Sequence, residues 1–385
     1  MPKSDRRATA GLCRLPAVCL ILGLVCAGPL AAPAQAQDST AVAAPALSDE
    51  ERDSAIRGLL QEPHESPVEF HGFLNFEGFS FQRDAARDIP SFDIHNFFFA
   101  AKAPLGRDAL LFLEIEYEHG STVKLDRAFV DWSPHPLLTV RAGRFYVPVS
   151  QELTCYWAPI RLMTSRPLLV DITFREWCDT GLELLGRQDW FGYNIGLVNG
   201  PQGLTESGIP FGDVRDNNRD KVPFARLNLY PVEGLEAGVA YSSGAYDSRG
   251  GLKFRLVEFN SRLRHGPLDV WVEYDRRSGD DEPAPGTPGS EPAFSGDPAR
   301  RQGYYVQAAF EVLRHRKLVN YLKPVVRYER MEALASGTGS RRVTAGVNWS
   351  PAPHLVVKTE YQWTSELGGP RLRNNGAMFS LVADF

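Results

Sequence analysis

From Glu69 onward the chain alternates between apolar and polar side chains. At its end, Ala377, Phe379, Leu381, Ala383 and Phe385 form one apolar row, and Met378, Ser380, Val382 and Asp384 fall on the other. Side chains alternate across a strand, so this pattern predicts a strand with two different faces. The same pattern recurs upstream. Leu111, Leu113, Ile115 and Tyr117 oppose Glu114, Glu116 and Glu118. Val270, Val272 and Tyr274 oppose Trp271, Glu273 and Asp275. Tyr304, Val306, Ala308 and Phe310 oppose Gln307 and Glu311. Val343, Ala345, Val347 and Trp349 oppose Thr344, Gly346 and Asn348, and Leu355, Val357, Thr359 and Tyr361 oppose Lys358, Glu360 and Gln362.

Sixteen such segments are predicted, near 69–81, 91–103, 108–118, 123–133, 137–146, 178–187, 190–199, 219–230, 234–243, 252–264, 267–277, 302–313, 317–329, 341–350, 354–363 and 376–385. Each is close to the roughly 9–11 residues that cross a tilted barrel wall. Tight turns at Pro104-Leu105-Gly106, Ser133-Pro134-His135-Pro136, Arg187-Gln188-Asp189, Pro231-Val232-Glu233, His265-Gly266, His315-Arg316 and Ser350-Pro351-Ala352-Pro353 alternate with longer polar connections. Short turns on one rim and long loops on the other, with an even strand number, define the fold class. It is all-β: a 16-stranded antiparallel transmembrane β-barrel, apolar rows to lipid and charged rows to the lumen. Unpaired buried charge costs several kcal/mol, so a lumen this charged holds water. Trp132, Trp349 and Phe385 then belong to the aromatic girdle of the short-turn rim, and Tyr274 and Tyr304 to the opposite one.

The N-terminal stretch supports export. Lys3, Arg6, Arg7 and Arg14 precede a short apolar core, Leu15 to Leu24, and Ala34-Gln35-Ala36 is a small-x-small cleavage site. Residues 1–36 therefore read as a signal peptide. Residues 37–68, rich in Ala, Pro, Ser, Asp and Glu, read as a periplasmic extension, and 69–385 as the barrel. Losing the signal removes four positive charges and one negative, taking the formal net charge from -5 to about -8. An acidic mature chain argues against nucleic acid as a partner. Cys155 and Cys178 remain after cleavage. In an oxidising compartment they suggest one disulfide, the alternative being two unpaired buried thiols.

The connection 147–177, the third on the long-loop rim, is about twice the typical loop length. It holds Trp157, Phe174 and Trp177 with Arg161, Arg166, Asp171, Arg175 and Glu176, and Asp179 follows. Aromatics with mixed charge predict a packed loop, folded inward to narrow the channel. Fixed charges in a narrow, low-dielectric constriction select ions. Arg161, Arg166 and Arg175 can attract anions across from lumen carboxylates, or pair with Asp171, Glu176 and Asp179 and only fix the loop.

The stretch Arg141 to Val149, RAGRFYVPV, and the stretch Arg161 to Gly181, RLMTSRPLLVDITFREWCDTG, resemble the corresponding strand end and following run of the phosphate-selective porin O and P family. The resemblance implies an outer-membrane channel, usually trimeric, whose third loop lines the constriction. The C-terminal strand resembles those of bacterial outer-membrane proteins, which implies that the barrel-assembly machinery reads Phe385. Where the family's phosphate-selective members carry a dense basic ladder, the inner rows here are mixed. Glu114, Glu116, Glu118, Glu273, Asp275 and Glu311 stand beside Arg141, Arg226, Arg327 and Lys358. The expected partners are outer-membrane lipid, other copies in a trimer, and small hydrophilic or anionic solutes, with phosphate, organic acids and sugars all compatible.

No cofactor, metal or enzymatic activity is expected. His119 near Ser121 is the only suggestion of an outer-membrane hydrolase, without a Gly-x-Ser-x-Gly elbow or a His-Glu-x-x-His helix. A non-conducting structural or adhesive barrel is the remaining alternative.

Overall fold

A computed structural model describes residues 68–385 except 87, 152–156, 173–176, 202–215, 217, 281–299, 317–318 and 335. The signal peptide and nearly all of the 37–68 extension therefore lie outside the described residues.

The strands run in chain order: β1 (Glu69–Phe81), β2 (Ser91–Leu105), β3 (Ala109–Glu118), β4 (Thr122–His135), β5 (Leu138–Tyr146) and β6 (Cys178–Arg187). Then come β7 (Phe191–Val198), β8 (Val222–Val232), β9 (Leu235–Ala245), β10 (Lys253–His265), β11 (Leu268–Gly279) and β12 (Arg301–Phe310). The last are β13 (Leu313–Arg316), β14 (Val319–Ala333), β15 (Gly339–Ala352), β16 (Leu355–Leu367) and β17 (Gly376–Asp384). Every pairing is antiparallel, and β1 pairs with both β2 and β17, which closes the sheet. β12 and β13 both pair with β14, so the seventeen segments make sixteen staves.

The break between β12 and β13 has a local cause. Ala309 pairs with Val325 and Leu313 with Leu322, so the register slips by one residue at Pro324. Proline has no N–H to give the ladder. The Val312 N–H still bonds to the Leu322 carbonyl at 3.0 Å, which keeps the stave continuous. The turn expected at His315-Arg316 is not found there, because β13 extends through Arg316, and residues 317–318 lie outside the described residues. Other register shifts on the same rim bracket Pro134, Pro231 and Pro351.

The predicted facing holds in the strands where alternation assigned it. Leu111, Leu113, Ile115, Val306, Val343, Val347, Tyr361 and Leu381 are exposed, whereas Glu114, Glu116, Glu273, Asp275, Gln307, Thr344, Asn348, Lys358, Glu360 and Ser380 are buried. Backbone groups in hydrocarbon have no water to bond, so a closed ladder is the only sheet that survives there. The outward apolar rows complete the membrane surface.

Closure at the β1–β17 seam uses glycines opposite aromatics. Phe385 donates its backbone N–H to the Gly72 carbonyl at 3.0 Å, and the Gly72 N–H returns a 3.2 Å bond. A Cβ at Gly72 would lie 2.6 Å from the Phe385 ring and 2.5 Å from the Phe98 carbonyl oxygen. One at Gly78 would lie 2.1 Å from the Phe379 ring. The rings occupy the space that the glycines leave, as in aromatic rescue of strand glycines. Gly72→Val is expected to destabilise the barrel by about 1–3 kcal/mol through overpacking, whereas Ser80→Val, exposed on the same outward row, should not. Urea unfolding in lipid vesicles measures this, and equal midpoints for the two variants would contradict the packing account.

Candidate solute pathway

The inner rows of the barrel do not stand free in a wide lumen. They hold the connection between β5 and β6. Its base is closed by a 2.9 Å bond from the Val147 N–H to the Trp177 carbonyl. Beyond that, strand side chains bond its backbone directly.

Carboxylates take the loop's N–H groups. Glu273 Oε1 accepts from the Gln151 N–H at 3.0 Å and the Ser150 hydroxyl at 2.6 Å. Glu360 accepts from the Thr164 and Ser165 N–H groups at 2.8 and 3.2 Å. Glu329 accepts from the Leu168 N–H at 2.7 Å, where a short 3-10 helix, Leu168–Asp171, begins. Cations and an amide take its carbonyls. Lys358 Nζ donates to Ala158 at 2.5 Å, and Asn348 Nδ2 donates to Leu162 at 2.9 Å. Arg327 donates to the Ser165 carbonyl at 3.1 Å, its hydroxyl at 2.7 Å and the Arg166 carbonyl at 3.3 Å. Arg342 reaches the same Arg166 carbonyl at 2.7 Å, and Arg277 reaches that of Ile172 at 3.0 Å. Charge-assisted bonds of this kind are roughly twice as strong as neutral ones.

Apolar packing reinforces them. Val147, Val149, Leu169, Ile172 and Trp177 join Phe254, Leu256, Trp271 and Tyr305 in one buried cluster. Met163 packs with Ala309 and Val325, and Ala158 with Phe73, Phe98, Val356 and Val382. The Trp157 ring lies 6.2 Å from Phe73 and 5.2 Å from the Arg127 guanidinium carbon.

The expected site residues thus divide. Arg327 and Lys358 hold the loop, and Arg226 donates to the Pro148 carbonyl at 3.5 Å and to Glu258 at 3.2 Å. Glu114 takes a bidentate fork from Arg127 at 2.8 and 2.9 Å, and Glu116 accepts from Asn96 at 3.2 Å. Arg141 is shared between Asp131 at 2.7 Å and Glu183 at 3.2 Å. Among the described residues, Asp179 makes no ion pair with a loop arginine. It accepts from the N–H groups of Thr180 and Gly200, both at 2.7 Å, and from the Trp177 indole at 3.2 Å. Arg161 donates to the Thr164 carbonyl at 3.4 Å, within its own turn. Arg166 enters through its carbonyl, and Asp171 through its backbone in the 3-10 helix. Arg175 and Glu176 lie outside the described residues.

Of the expected Cys155–Cys178 disulfide, only the Cys178 end falls among the described residues. Cys178 is a buried free thiol that donates to the Asp126 carbonyl oxygen. It sits at the first position of β6, paired with Tyr146, where the ladder and the Asp126 carbonyl already hold it. Cys155 lies outside the described residues.

Sequence reasoning missed the roles of Arg277, Glu329 and Arg342. Their inward parity was readable, but not the loop groups they meet. A cleft of about 210 Å³ remains on the β4–β8 side, lined by Arg127, Arg141, Arg226, Glu183, Asn194 and Asn228. Arg127 and Arg141 keep 20% of their side-chain surface exposed there, against 2% for Arg226. Arg141 lies over the Phe129 ring at 4.1 Å, and Arg127 over Phe112 at 4.8 Å. Stacked guanidinium groups beside amides offer donors to a small polar or anionic solute.

No protein-family model matches the chain. An uncharacterized protein of Aquifex aeolicus (strain VF5) is 23% identical over 282 residues, 64% of this chain and 65% of that protein. The chain thus spans slightly less than two thirds of that relative. Among solved structures, the anion-selective porin from Comamonas acidovorans is similar at TM-score 0.61 and 14% identity, covering 83% of this chain and 100% of that one. OmpT of Vibrio cholerae in its trimer form has TM-score 0.58 and 12% identity, covering 83% and 99%. The outer membrane channel DcaP of Acinetobacter baumannii has TM-score 0.57 and 10% identity, covering 84% and 99%. At these identities the shared property is the fold, that of an outer-membrane β-barrel. The outward apolar rows and this fold place the protein in the outer membrane.

Removing Arg327 should test the loop clamp. Arg327→Met is expected to lower stability by about 3–5 kcal/mol, because it strips a buried, hydrogen-bonded charge from its partners. It should also expose Arg161 and Arg166 to trypsin. Arg330→Met, which breaks only an exposed pair with Glu332, should change stability by less than about 1 kcal/mol. Trypsin digestion followed by mass spectrometry reads both, and an uncut loop in Arg327→Met would contradict the clamp.

Proposed function

We propose that the protein is a porin, passing small hydrophilic solutes passively through a barrel narrowed by residues 147–177. The observation that carries this reading is the cleft beside the clamped loop, where Arg127 and Arg141 remain partly exposed while most inner charges are covered. The exposed arginines favour small anions, organic acids or phosphate, over cations. Kinship with the phosphate-selective porin O and P family, suggested by RAGRFYVPV and the SRP…REW run, belongs to the same reading, as does recognition of Phe385 by the barrel-assembly machinery. Assembly as a homotrimer is supported by the trimer form of the Vibrio cholerae neighbour. No reaction is proposed for the barrel.

One observation favours the non-conducting alternative. Glu114, Glu116, Glu258, Glu273, Asp275 and Glu329 are fully covered, so much of the cross-section is filled. Planar-bilayer recording decides between the two readings. The expected result is discrete single-channel steps with a reversal potential of anion-selective sign in a KCl gradient, partly blocked by phosphate. Arg141→Gln should move that potential toward cation selectivity. Silent bilayers would favour the structural barrel, and cation selectivity without phosphate block would remove the anion assignment.

A further inference from the structure

On the long-loop rim, apart from the clamp, three potential metal ligands converge: Asp93, His95 and His119. Their donor atoms lie within 4.8 Å of one another. His119 Nδ1 is 2.5 Å from Asp93 Oδ2, and His95 Nδ1 is 3.9 Å from the same oxygen. The two imidazole centroids are 5.0 Å apart. Glu77 Oε2 lies 3.8 Å from His95 Nδ1 and offers a fourth donor.

Two backbone irregularities build this cluster. Asn75 pairs with Asn96 but Phe76 pairs with Ile94, so His95 is an extra residue bulged out of β2. Period-two facing would put Asp93 and His95 on the opposite row from Asn96 and Phe98. The bulge brings Asp93 opposite Glu77, onto the inner row, and re-aims His95 beside it. Bulges of this kind redirect side chains next to functional sites. The β3–β4 turn supplies the third ligand. His119 and Gly120 have φ of 49° and 66°, and the Ser121 N–H bonds to the Glu118 carbonyl at 3.1 Å. Positive φ at both central residues is the mark of a type I′ hairpin turn. The His119 N–H then bonds to the His95 carbonyl at 3.1 Å, docking the turn on the bulge.

A second observation points to a ligand. His95 Nδ1 is buried and has no hydrogen-bond partner among the described residues. A buried polar atom without a partner costs about 1–3 kcal/mol, and a lone pair facing a carboxylate is met naturally by a cation. We infer that Asp93, His95 and His119 form a binding site for a divalent transition-metal ion of the Zn²⁺ class. Two imidazoles and a carboxylate suit borderline cations and not Mg²⁺ or Ca²⁺, which prefer all-oxygen shells. Ligand atoms around a tetrahedral Zn²⁺ stand about 3.3 Å apart. The 2.5 and 3.9 Å separations bracket that spacing, and all three donors lie within 4.8 Å of one another, so the shell would close by ångström-scale shifts of the side chains. The ion would pin the β3–β4 turn to β2 at the mouth of the barrel, whether or not the barrel conducts.

The test uses tag-free, refolded protein in detergent micelles. Calorimetric titration with Zn²⁺ should show one site per chain. Co²⁺ should give a ligand-field absorption band that Zn²⁺ displaces. His95→Gln and His119→Asn should each weaken Zn²⁺ binding by at least about tenfold; asparagine tolerates the left-handed φ. His354→Gln, on the opposite rim, should bind as the parent does. Should the ligand variants fail to fold, carbethoxylation of the unaltered protein replaces them, with Zn²⁺ expected to protect His95 and His119 and not His354. Zn²⁺ binding undiminished in the folded His95→Gln/His119→Asn double variant, absence of binding to the unaltered protein, or lack of protection would overturn the assignment.

Discussion

A peptide group in hydrocarbon, or inside a crowded barrel, must find a partner other than bulk water. That constraint acts twice in this protein. In the wall, it forces the sheet to close, and the β1–β17 pairing supplies the closure. In the interior, it falls on the described residues of 147–177, which belong to no strand of the sheet. Here the charged inner rows perform the task of a ladder: carboxylates accept the loop's N–H groups, and guanidinium and ammonium groups donate to its carbonyls. The mixed sign of the lumen follows directly, since a loop backbone presents donors and acceptors in equal measure.

Pairing among the inner charges is consistent with this division of labour. Glu329 lies between Arg327 and Arg342 at 3.2 and 2.6 Å while also accepting from Leu168. A buried ion pair alone is weak evidence for stability, because desolvation offsets the attraction. What distinguishes these pairs is the additional hydrogen bond each makes to the loop. Their contribution is geometric: they fix where the loop crosses the barrel, and therefore where any opening lies.

The wall was readable from the sequence because its signal is local. Period-two alternation in 108–118, 267–277 and 341–350 sets the facing of Glu114, Glu273 and Asn348 without reference to any other strand. Three features escaped because they depend on what comes opposite. Pro324 interrupts a neighbouring stave, not its own. The bulge at His95 overrides the parity that the segment 91–103 would otherwise dictate, and so hid the convergence of Asp93, His95 and His119. The partners of Arg327 and Lys358 lie about 160 and 200 residues away in sequence, in a loop whose path no periodicity encodes. Compartment and cysteine count likewise say nothing about the hydrogen bond that Cys178 makes to the Asp126 carbonyl.

The loop clamp and a permeation path draw on the same charges, and the structure separates them spatially. On β11, β14 and β16, Glu273, Arg277, Arg327, Glu329, Lys358 and Glu360 bond the loop and are nearly devoid of exposed surface. Between β4 and β6, Arg127 and Arg141 are paired to wall carboxylates instead and stack on aromatic rings, which leaves their outer edges toward the cleft. A guanidinium neutralised on one side and stacked on a ring is held rigidly, yet keeps N–H groups free to turn toward a passing solute. Such a group attracts anions weakly, and weak, repeated sites are what conduction requires, because a solute must leave as readily as it enters. The pairing of Arg141 with Asp131 and Glu183 therefore suits a transit surface better than an unpaired arginine, which would bind an anion and keep it.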